Sequence, residues 1–287
     1  MKIQEQAPAK INLALNILGR RTDGYHELRM VMQSVSLCDT VTVEETGIGF
    51  TLLSDGFTVP AGKSSLEQQA AEAFFAAVGR PMPPLTVHLE KTTPAYAGLG
   101  GGSADVAALL RCLRRQYAPE MPVEQLRAIG LTVGSDMPFC VSGGTALAEG
   151  RGERLTALPA LPDCWIVLCK PEFGIPTPAL FTLADAGTLE NRPDIDGMIR
   201  ALSAGDLGGV AARLCNVFEE FLPEEYHEVF YIKNRLLELG ALNAAMSGSG
   251  PTVFGIFREE TAAKAAETAL KQCYPQTYLA KPVGELV

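Results

Sequence analysis

The sequence predicts a two-domain protein of the α+β class. Its 287 residues are about twice the length of a common single domain. Segments with the period of a strand and segments with the period of a helix both occur, but they do not alternate strictly as in a parallel α/β sheet. The closely spaced prolines in LTALPALPD indicate a boundary between a first domain, residues 1–155, and a second domain, residues 156–287.

The composition excludes several classes of protein. The chain is 47% hydrophobic and 20% charged, as in ordinary globular proteins, and its formal net charge of −9 argues against non-specific nucleic-acid binding. Neither the start, MKIQEQAPAK, nor any later stretch has the apolar run of a signal peptide or of a membrane span. We therefore expect a cytoplasmic protein without nucleic-acid or membrane partners.

Cysteine and histidine usage points away from disulfides and zinc. The seven cysteines include no CxxC pair, so we expect reduced and mostly packed thiols. The three histidines lie far apart and lack HExxH spacing, which argues against a zinc site.

The first predicted strand, AKINLALNILG at residues 9–19, alternates between apolar and polar side chains. One face would carry Ile11, Leu13, Leu15 and Ile17, and the other Lys10, Asn12, Ala14 and Asn16. The polar face is either solvated or part of a binding site, and the strand by itself does not decide between them.

A second strand region, MVMQSVSLCDTVTVEE, leads through a turn at Asp55-Gly56 to a helix, SSLEQQAAEAFFAAVGR. Ser64 and Glu67 have the spacing of a capping box at the start of this helix, and Gly79 would end it.

The letters GKS at residues 62–64 resemble the end of a phosphate-binding P-loop, but that motif needs a glycine where Phe57 stands. A turn followed by a helix cap explains them better.

The next unit is a strand, a glycine loop and a helix. LTVHLEK is followed by GLGGGSAD at residues 98–105 and by a helix over 103–117, whose apolar stripe is Val106, Leu109, Leu110 and Leu113. We expect Ser103 to cap this helix and Asp105 to lie in its first turn. Such a loop is either a structural turn or an anion site, because glycines let backbone N–H groups approach a phosphate. A dinucleotide GxGxxG would require glycine at Ser103.

A helix leading to GSD and a glycine-rich strand region complete the first half. The second half is predicted to contain a buried strand, CWIVLCKP, and helices in PDIDGMIRALSAGDLGGVAARL and EEYHEVFYIKNRLLELGA. A second glycine loop, SGSGPT at residues 247–252, precedes the strand TVFGIF, and EETAAKAAETALKQCY forms the last helix.

Taken together, the two glycine loops, Lys10 on a polar strand face and Asp136 in GSDMP resemble the three motifs of the GHMP kinases. The motifs that carry the resemblance are AKINLALNILGRRTDGYHEL, PAYAGLGGGSADVAALL, GSDMPFC, IPTPALF and MSGSGPTVFG. The resemblance implies an N-terminal ribosomal-protein-S5-like nucleotide-binding domain, a C-terminal ferredoxin-like domain and an active site in the cleft between them.

The resemblance also implies an activity and its residues. We expect ATP, with Mg²⁺, to phosphorylate a small-molecule alcohol, and the motifs resemble the branch of the family that acts on cytidine diphosphate methylerythritol. Lys10 and Asp136 would be the catalytic pair, and Asn12 would contact the substrate. Tyr25, His26 and Phe181 would stack on and hydrogen-bond to the cytosine. The ATP-phosphate loop would be Pro94, Ala95, Tyr96, Ala97, Gly98, Leu99, Gly100, Gly101, Gly102, Ser103 and Ala104, with Ser103 as a candidate metal or phosphate contact.

Two departures from the family pattern and two alternatives remain. The glycine loop ends in Ser-Ala-Asp, where relatives often differ, and we interpret this as ordinary variation. Ser65 stands before Leu66 where the family usually has an adenine-binding asparagine, so nucleotide selectivity can differ. The chain could phosphorylate another small alcohol, or it could be a nucleotide-binding relative without catalysis. The acidic charge and the helices of the second half are compatible with a monomer or a weak homodimer.

Overall fold

The structure, a computed structural model, describes residues 2–54 and 64–287, and within these residues it has the predicted α+β class. The strands are β1 (Lys2–Arg20), β2 (His26–Glu44), β3 (Phe50–Ser54), β4 (Leu85–Glu90), β5 (Thr145–Gly150), β6 (Arg154–Ala157), β7 (Trp165–Cys169), β8 (Cys215–Asn216), β9 (Asn243–Met246), β10 (Val253–Phe257) and β11 (Thr277–Ala280). The helices are α1 (Leu66–Ala77), α2 (Gly101–Tyr117), α3 (Val123–Leu131), α4 (Met137–Ser142), α5 (Thr177–Ala186), α6 (Ile195–Ser203), α7 (Leu207–Ala211), α8 (Glu228–Glu238) and α9 (Glu260–Lys271).

The first sheet is built on the long antiparallel pair β1 and β2. Its order is β3-β4-β2-β1-β8; β5 pairs with the first part of β2 and β6 pairs with β5. Strand β8 comes from the second half of the chain, yet it pairs in parallel with β1. The predicted boundary between residues 155 and 156 falls within β6 and stays a prediction.

The second sheet has the order β11-β7-β10-β9. A buried cluster joins it to the first sheet, because Ile11 and Leu13 of β1 pack in the same cluster as Ile166 and Leu168 of β7. On the other side, Val106 and Leu109 of α2 are fully buried. The apolar stripe predicted for α2 therefore faces the core, as expected for a helix that covers a sheet.

The strict alternation predicted for β1 is wrong after Asn12. The register with β2 shifts between Asn12 and Ala14, which is the signature of a β-bulge. A bulge adds one residue and exchanges the faces of the strand beyond it. Consequently Ala14 packs with Ile11 and Leu13, whereas Leu15 lies in the cleft with Lys10 and Asn12. The polar face is not solvated, since Lys10 and Asn12 are buried.

Helix α1 begins one residue later than the capping box predicts. Ser65, not Ser64, is the N-cap, and its Oγ accepts a hydrogen bond of 3.1 Å from the backbone N–H of Gln68. Gly79 follows the helix end with a φ of +66°, as predicted. The turn at Asp55-Gly56 and the GK of GKS lie outside the described residues.

The sequence did not predict two of the helices, α4 and α5.

All seven cysteines are free thiols. Cys273 is exposed, Cys38 and Cys215 are partly buried, and the other four are buried. In the part of the chain that the structure describes, no helix is both long and apolar enough to cross a membrane.

Candidate active site

An open cleft of about 910 Å³ lies between the β1–β2 pair, the two glycine loops and helix α5. It brings together most of the side chains that the sequence singled out. The predicted residues that line it are Lys10, Asn12, Tyr25, His26, Tyr96, Gly98, Gly100, Ser103, Asp136 and Phe181. Lys10 and Phe181 thus line the same cavity although they are 171 positions apart in the sequence.

Lys10 is the buried cation of the cleft. Only 5% of the residue is exposed, and its Nζ donates a hydrogen bond of 2.8 Å to Asn12 Oδ1. Because the two residues are two positions apart before the bulge, strand geometry directs both side chains to the cleft. The backbone N–H of Lys10 donates to the carbonyl of Leu99 at 2.9 Å, which ties β1 to the first glycine loop.

Asp136 faces Lys10 across the cleft. Its Oδ2 lies 3.6 Å from Lys10 Nζ, and its side chain is 35% exposed. Although Asp136 occupies the N-cap position of α4, its carboxylate makes no capping hydrogen bond. The carboxylate is therefore free to accept a hydrogen bond or a proton from a molecule in the cleft.

The two glycine loops interlock. Gly98 has a φ of +73°, and a Cβ at this position would lie 2.1 Å from the carbonyl oxygen of Ser247. In return Ser247 Oγ donates to the Gly98 carbonyl at 3.0 Å. A Cβ on Gly248, where φ is +56°, would lie 3.3 Å from Lys10 Nζ. Glycine is therefore required on both loops, and their contact fixes the second loop against Lys10.

Gly98→Ala tests this interlock by its effect on stability. The substitution forces an L residue into a positive φ and makes its Cβ overlap a backbone carbonyl, so we expect a loss of about 3 kcal/mol or more in unfolding free energy. Gly205→Ala is the matched control, since Gly205 has a φ of +65° but nothing within 4 Å of its Cβ position. It should cost only about 1–2 kcal/mol, the cost of the left-handed backbone alone. Equal losses in urea titrations of the two variants would contradict the interlock.

The start of helix α2 lies beside the cleft, which Gly100 and Ser103 line. The helix begins at Gly101, two residues before the predicted start, and its N-cap is Gly100 with a φ of +68°. Ser103 is thus inside the first turn and does not cap the helix, contrary to the prediction. The first hydrogen bond of the helix runs from Ala104 N to Gly100 O, so the N–H groups before it have no partner within the helix. Unpaired N–H groups at a helix start, together with the helix dipole, favour the binding of an anion.

A buried ionic cluster joins helix α2 to the segment that precedes the first glycine loop. The ammonium of Lys91 pairs with the carboxylates of both Asp39 and Asp105, and Asp39 Oδ1 also accepts from the backbone N–H of Thr92 and Thr93. Burial raises the pKa of Asp105 to about 7 although Lys91 lies beside it. Asp105 is the fifth residue of α2, so the prediction that it serves the helix dipole in the first turn is wrong. It anchors α2 to the chain before the loop.

The predicted phosphate loop, residues 94–104, reaches the cleft only in part. Tyr96 is 85% exposed and has a φ of +52°, whereas the side chains of Ala97, Leu99 and Ala104 are buried. The members that do not line the cleft are Pro94, Ala95, Ala97, Leu99, Gly101, Gly102 and Ala104. Any contact of Ala97 and Leu99 with a ligand would have to come from their backbone.

Two of the aromatic rings of the cleft already stack on each other and leave no gap for a base. The rings of His26 and Phe181 stack directly, with centroids 4.4 Å apart and an angle of 18°. A nucleobase cannot enter between them at that spacing. The guanidinium of Arg151 lies over the Tyr25 ring at 4.5 Å, and Tyr25 is 52% exposed. A flat base thus has to use the outward faces of these rings.

Sequence reasoning missed several polar residues of the cleft, and two of them, Arg151 and Asp185, are charged side chains beside the aromatic residues. Arg151 lies in the turn between β5 and β6, and Asp185 lies on α5, where its Oδ1 is 2.6 Å from His26 Nε2. The only local signal for Arg151 was a positive charge inside the glycine-rich GRG turn. No local sequence signal pointed to Asp185, because its partner, His26, lies 159 positions away.

The residues present fit a magnesium ion that is held mainly by phosphates. Among the residues that the structure describes, no group of three or more His, Cys, Asp or Glu side chains could hold a metal by itself. Mg²⁺ in phosphoryl-transfer sites usually takes one or two protein oxygens and the phosphates of its substrate. Ser103 and Asp136 supply a hydroxyl and a carboxylate at this cleft.

Both halves of the chain match known protein families. Residues 65–144 match the family described as GHMP kinases N terminal domain, and residues 198–276 match the one described as GHMP kinases C terminal. Over 278 residues the chain is 41% identical to the 4-diphosphocytidyl-2-C-methyl-D-erythritol kinase of Moorella thermoacetica, which covers 96% of this chain and 97% of that protein. The protein of the same name from Bacillus pumilus is 39% identical over 286 residues, covering 99% and 98%.

Solved structures agree with these relatives. A crystal structure of 4-(cytidine 5'-diphospho)-2C-methyl-D-erythritol kinase superposes with a TM-score of 0.82 at 32% identity, covering 98% of this chain and all of the other. A homoserine kinase from Cytophaga hutchinsonii has a TM-score of 0.75 at 17% identity, covering 99% and 95% of the two chains. The second likeness shows a shared fold alone.

Proposed function

The chain belongs to the GHMP kinase family, and we propose which of its residues carry out the reaction of that family's 4-diphosphocytidyl-2-C-methyl-D-erythritol kinases. The protein is an ATP-dependent small-molecule kinase with the two-domain α+β fold of the family. It phosphorylates the 2-hydroxyl of 4-diphosphocytidyl-2-C-methyl-D-erythritol, a step of the non-mevalonate route to isoprenoids.

The observation that carries the residue assignment is the Lys10–Asp136 pair beside the first glycine loop. Asp136 accepts the proton of the 2-hydroxyl while the oxygen attacks the γ-phosphorus of ATP. The bond between the γ-phosphorus and the β,γ-bridging oxygen breaks, and ADP leaves with the electron pair. Because transfer of this kind depends mainly on positioning and charge neutralisation, a carboxylate held 3.6 Å from a buried ammonium suffices.

Lys10 has two roles in the proposed reaction. Its ammonium stabilises negative charge on the transferring phosphoryl group, and its hydrogen bond orients Asn12 toward the alcohol. The free N–H groups at the start of α2 bind the ATP phosphates. Ser103 and Asp136 are the candidate protein oxygens for Mg²⁺, which would supply neutralisation of phosphate charge in this site.

Arg151 is the residue that best fits the diphosphate of the acceptor. Its guanidinium covers Tyr25, while a Cβ on the next residue, Gly152, would lie 4.0 Å from Asp136 Oδ1. The turn therefore lies between the proposed base and the aromatic residues, where the diphosphate must pass. Arg154 pairs with Glu27 at 2.6 Å, but Arg151 forms no ion pair with any residue in 2–54 or 64–287.

We expect Arg151→Met to raise KM for the cytidine substrate about 10- to 100-fold, because the substitution removes one charge-assisted hydrogen bond. KM for ATP should stay unchanged. Arg154→Met, which removes an exposed arginine from the neighbouring strand, is the control and should leave both constants unchanged. A rise confined to KM for ATP would place Arg151 on the nucleotide instead.

The assignment of the substrate is tested by ADP release coupled to a reporter enzyme. Mg-ATP is supplied with 4-diphosphocytidyl-2-C-methyl-D-erythritol, homoserine, mevalonate or galactose in parallel. Turnover confined to the cytidine alcohol supports the proposal, because the others give the aromatic residues of the cleft nothing to stack on. Turnover with another alcohol would identify a different small-molecule kinase, and ATP binding without any turnover would indicate a non-catalytic relative.

We also propose that one chain completes the site and that it works in the cytoplasm as a monomer or weak homodimer. The support is that both glycine loops, the Lys10–Asp136 pair and the aromatic residues all come from a single chain. The division into domains of residues 1–155 and 156–287 belongs to the same proposal, with the cleft between them.

A further inference from the structure

We propose that Asp185 is a positioning residue that fixes the imidazole of His26 and thereby makes the enzyme prefer cytosine to uracil. The inference rests on the proposed function, because it requires the base of a cytidine nucleotide to lie at His26.

Helix α5 holds the His26 ring on one edge and on one face. Asp185 Oδ1 lies 2.6 Å from Nε2, and the ring of Phe181 stacks on the imidazole at 4.4 Å. Phe181 and Asp185 are four positions apart, so they lie on the same side of the helix. With only 9% of His26 exposed, the ring has little freedom to rotate. Arg20 Nη1, at 3.8 Å from Asp185 Oδ2, keeps the carboxylate at this position.

The hydrogen-bond chemistry then decides what the other ring nitrogen offers. An ionised carboxylate only accepts hydrogen bonds, so Nε2 must carry the proton that it donates to Asp185. In the neutral imidazole Nδ1 is then an acceptor. Within the described part of the chain, no residue hydrogen-bonds to His26 Nδ1, which leaves that acceptor for a ligand.

An acceptor at this point discriminates between the two pyrimidines. Cytosine has an amino group at C4 that donates hydrogen bonds, and uracil has a carbonyl oxygen there that only accepts them. Nδ1 can accept from the amino group, whereas facing the carbonyl would leave two acceptors opposed and unsatisfied. Such a mismatch at a desolvated position weakens binding about 10- to 100-fold.

Asp185→Asn is the direct test, because the amide has the shape of the carboxylate but can donate as well as accept. Donation to Nε2 would reverse the tautomer and turn Nδ1 into a donor, which suits uracil. Let the preference be kcat/KM for 4-diphosphocytidyl-2-C-methyl-D-erythritol divided by kcat/KM for the same compound with uracil in place of cytosine. We expect this ratio to fall at least about tenfold. KM for ATP and the unfolding midpoint should not change. Asp185→Glu, which keeps the carboxylate, should retain more of the preference than Asp185→Asn.

Binding of CDP and UDP measured by calorimetry makes the test independent of turnover. Wild-type protein should bind CDP more tightly, and Asp185→Asn should lose that preference, while Asp163→Asn, an 86% exposed carboxylate, should keep it. If the wild type did not phosphorylate the cytidine alcohol, the proposed function would fail while these affinities still tested Asp185. Equal losses for both nucleotides, or an unchanged ratio, would overturn the inference and leave Asp185 a merely structural residue.

Discussion

Replacing Asp136 by asparagine is expected to lower kcat about 10²- to 10⁴-fold, the usual contribution of a general base. The asparagine keeps the size of the side chain but cannot take the proton of the 2-hydroxyl. The fold should survive, because the carboxylate is 35% exposed and makes no capping hydrogen bond. KM values for both substrates should change much less than kcat, as expected for an interaction that is used in the transition state.

The control for Asp136→Asn is Asp163→Asn, the same chemical change at an exposed position near the second sheet. It should have wild-type turnover, and circular dichroism should show both variants folded. Near wild-type turnover of Asp136→Asn would remove Asp136 from the role of base.

Lys10→Met is expected to have the second large effect, a fall of about 10²- to 10³-fold in kcat. Methionine keeps the unbranched stem, which packs close to Gly100, where a Cβ would lie 3.0 Å from Lys10 Cγ. It removes the ammonium that faces Asp136 and Asn12. The buried Asn12 Oδ1 loses its donor, so we also expect a loss of about 1–3 kcal/mol in stability.

Turnover and folding have to be separated for Lys10→Met. Titration with urea gives the unfolding free energy, and kcat is measured where the variant is fully folded. Lys264→Met, an exposed lysine of helix α9, is the control and should change neither quantity. If the variant had no folded state at all, Lys10 would be structural and the catalytic assignment would lose its support.

The sequence predicted what short-range patterns encode. The alternation in residues 9–19 predicted β1 and the common side of Lys10 and Asn12, and the glycine run predicted a loop before a helix. The bulge after Asn12 was not predictable from alternation, because it depends on the pairing with β2. For the same reason the sequence misjudged which face Leu15 occupies.

Local helix geometry accounts for some of the other errors, and long-range contacts account for the residues that were missed. Asp105 was assigned to the first turn because α2 was expected to start at residue 103; the helix starts at Gly101, and Asp105 pairs with Lys91. Ser65 raised a question about adenine binding, and its hydroxyl is in fact used to cap α1. Asp185 and Arg151 were missed because their partners, His26 and Tyr25, lie more than 100 positions away.

The proposed function requires this cleft to transfer the γ-phosphoryl group of ATP to the 2-hydroxyl of 4-diphosphocytidyl-2-C-methyl-D-erythritol. The most direct measurement is phosphorus NMR of the product from wild-type enzyme, Mg-ATP and 4-diphosphocytidyl-2-C-methyl-D-erythritol. We expect ADP and one new phosphomonoester on the tertiary carbon, in equal amounts, with the cytidine diphosphate intact. ADP accompanied only by inorganic phosphate, or a phosphate on another hydroxyl, would contradict it.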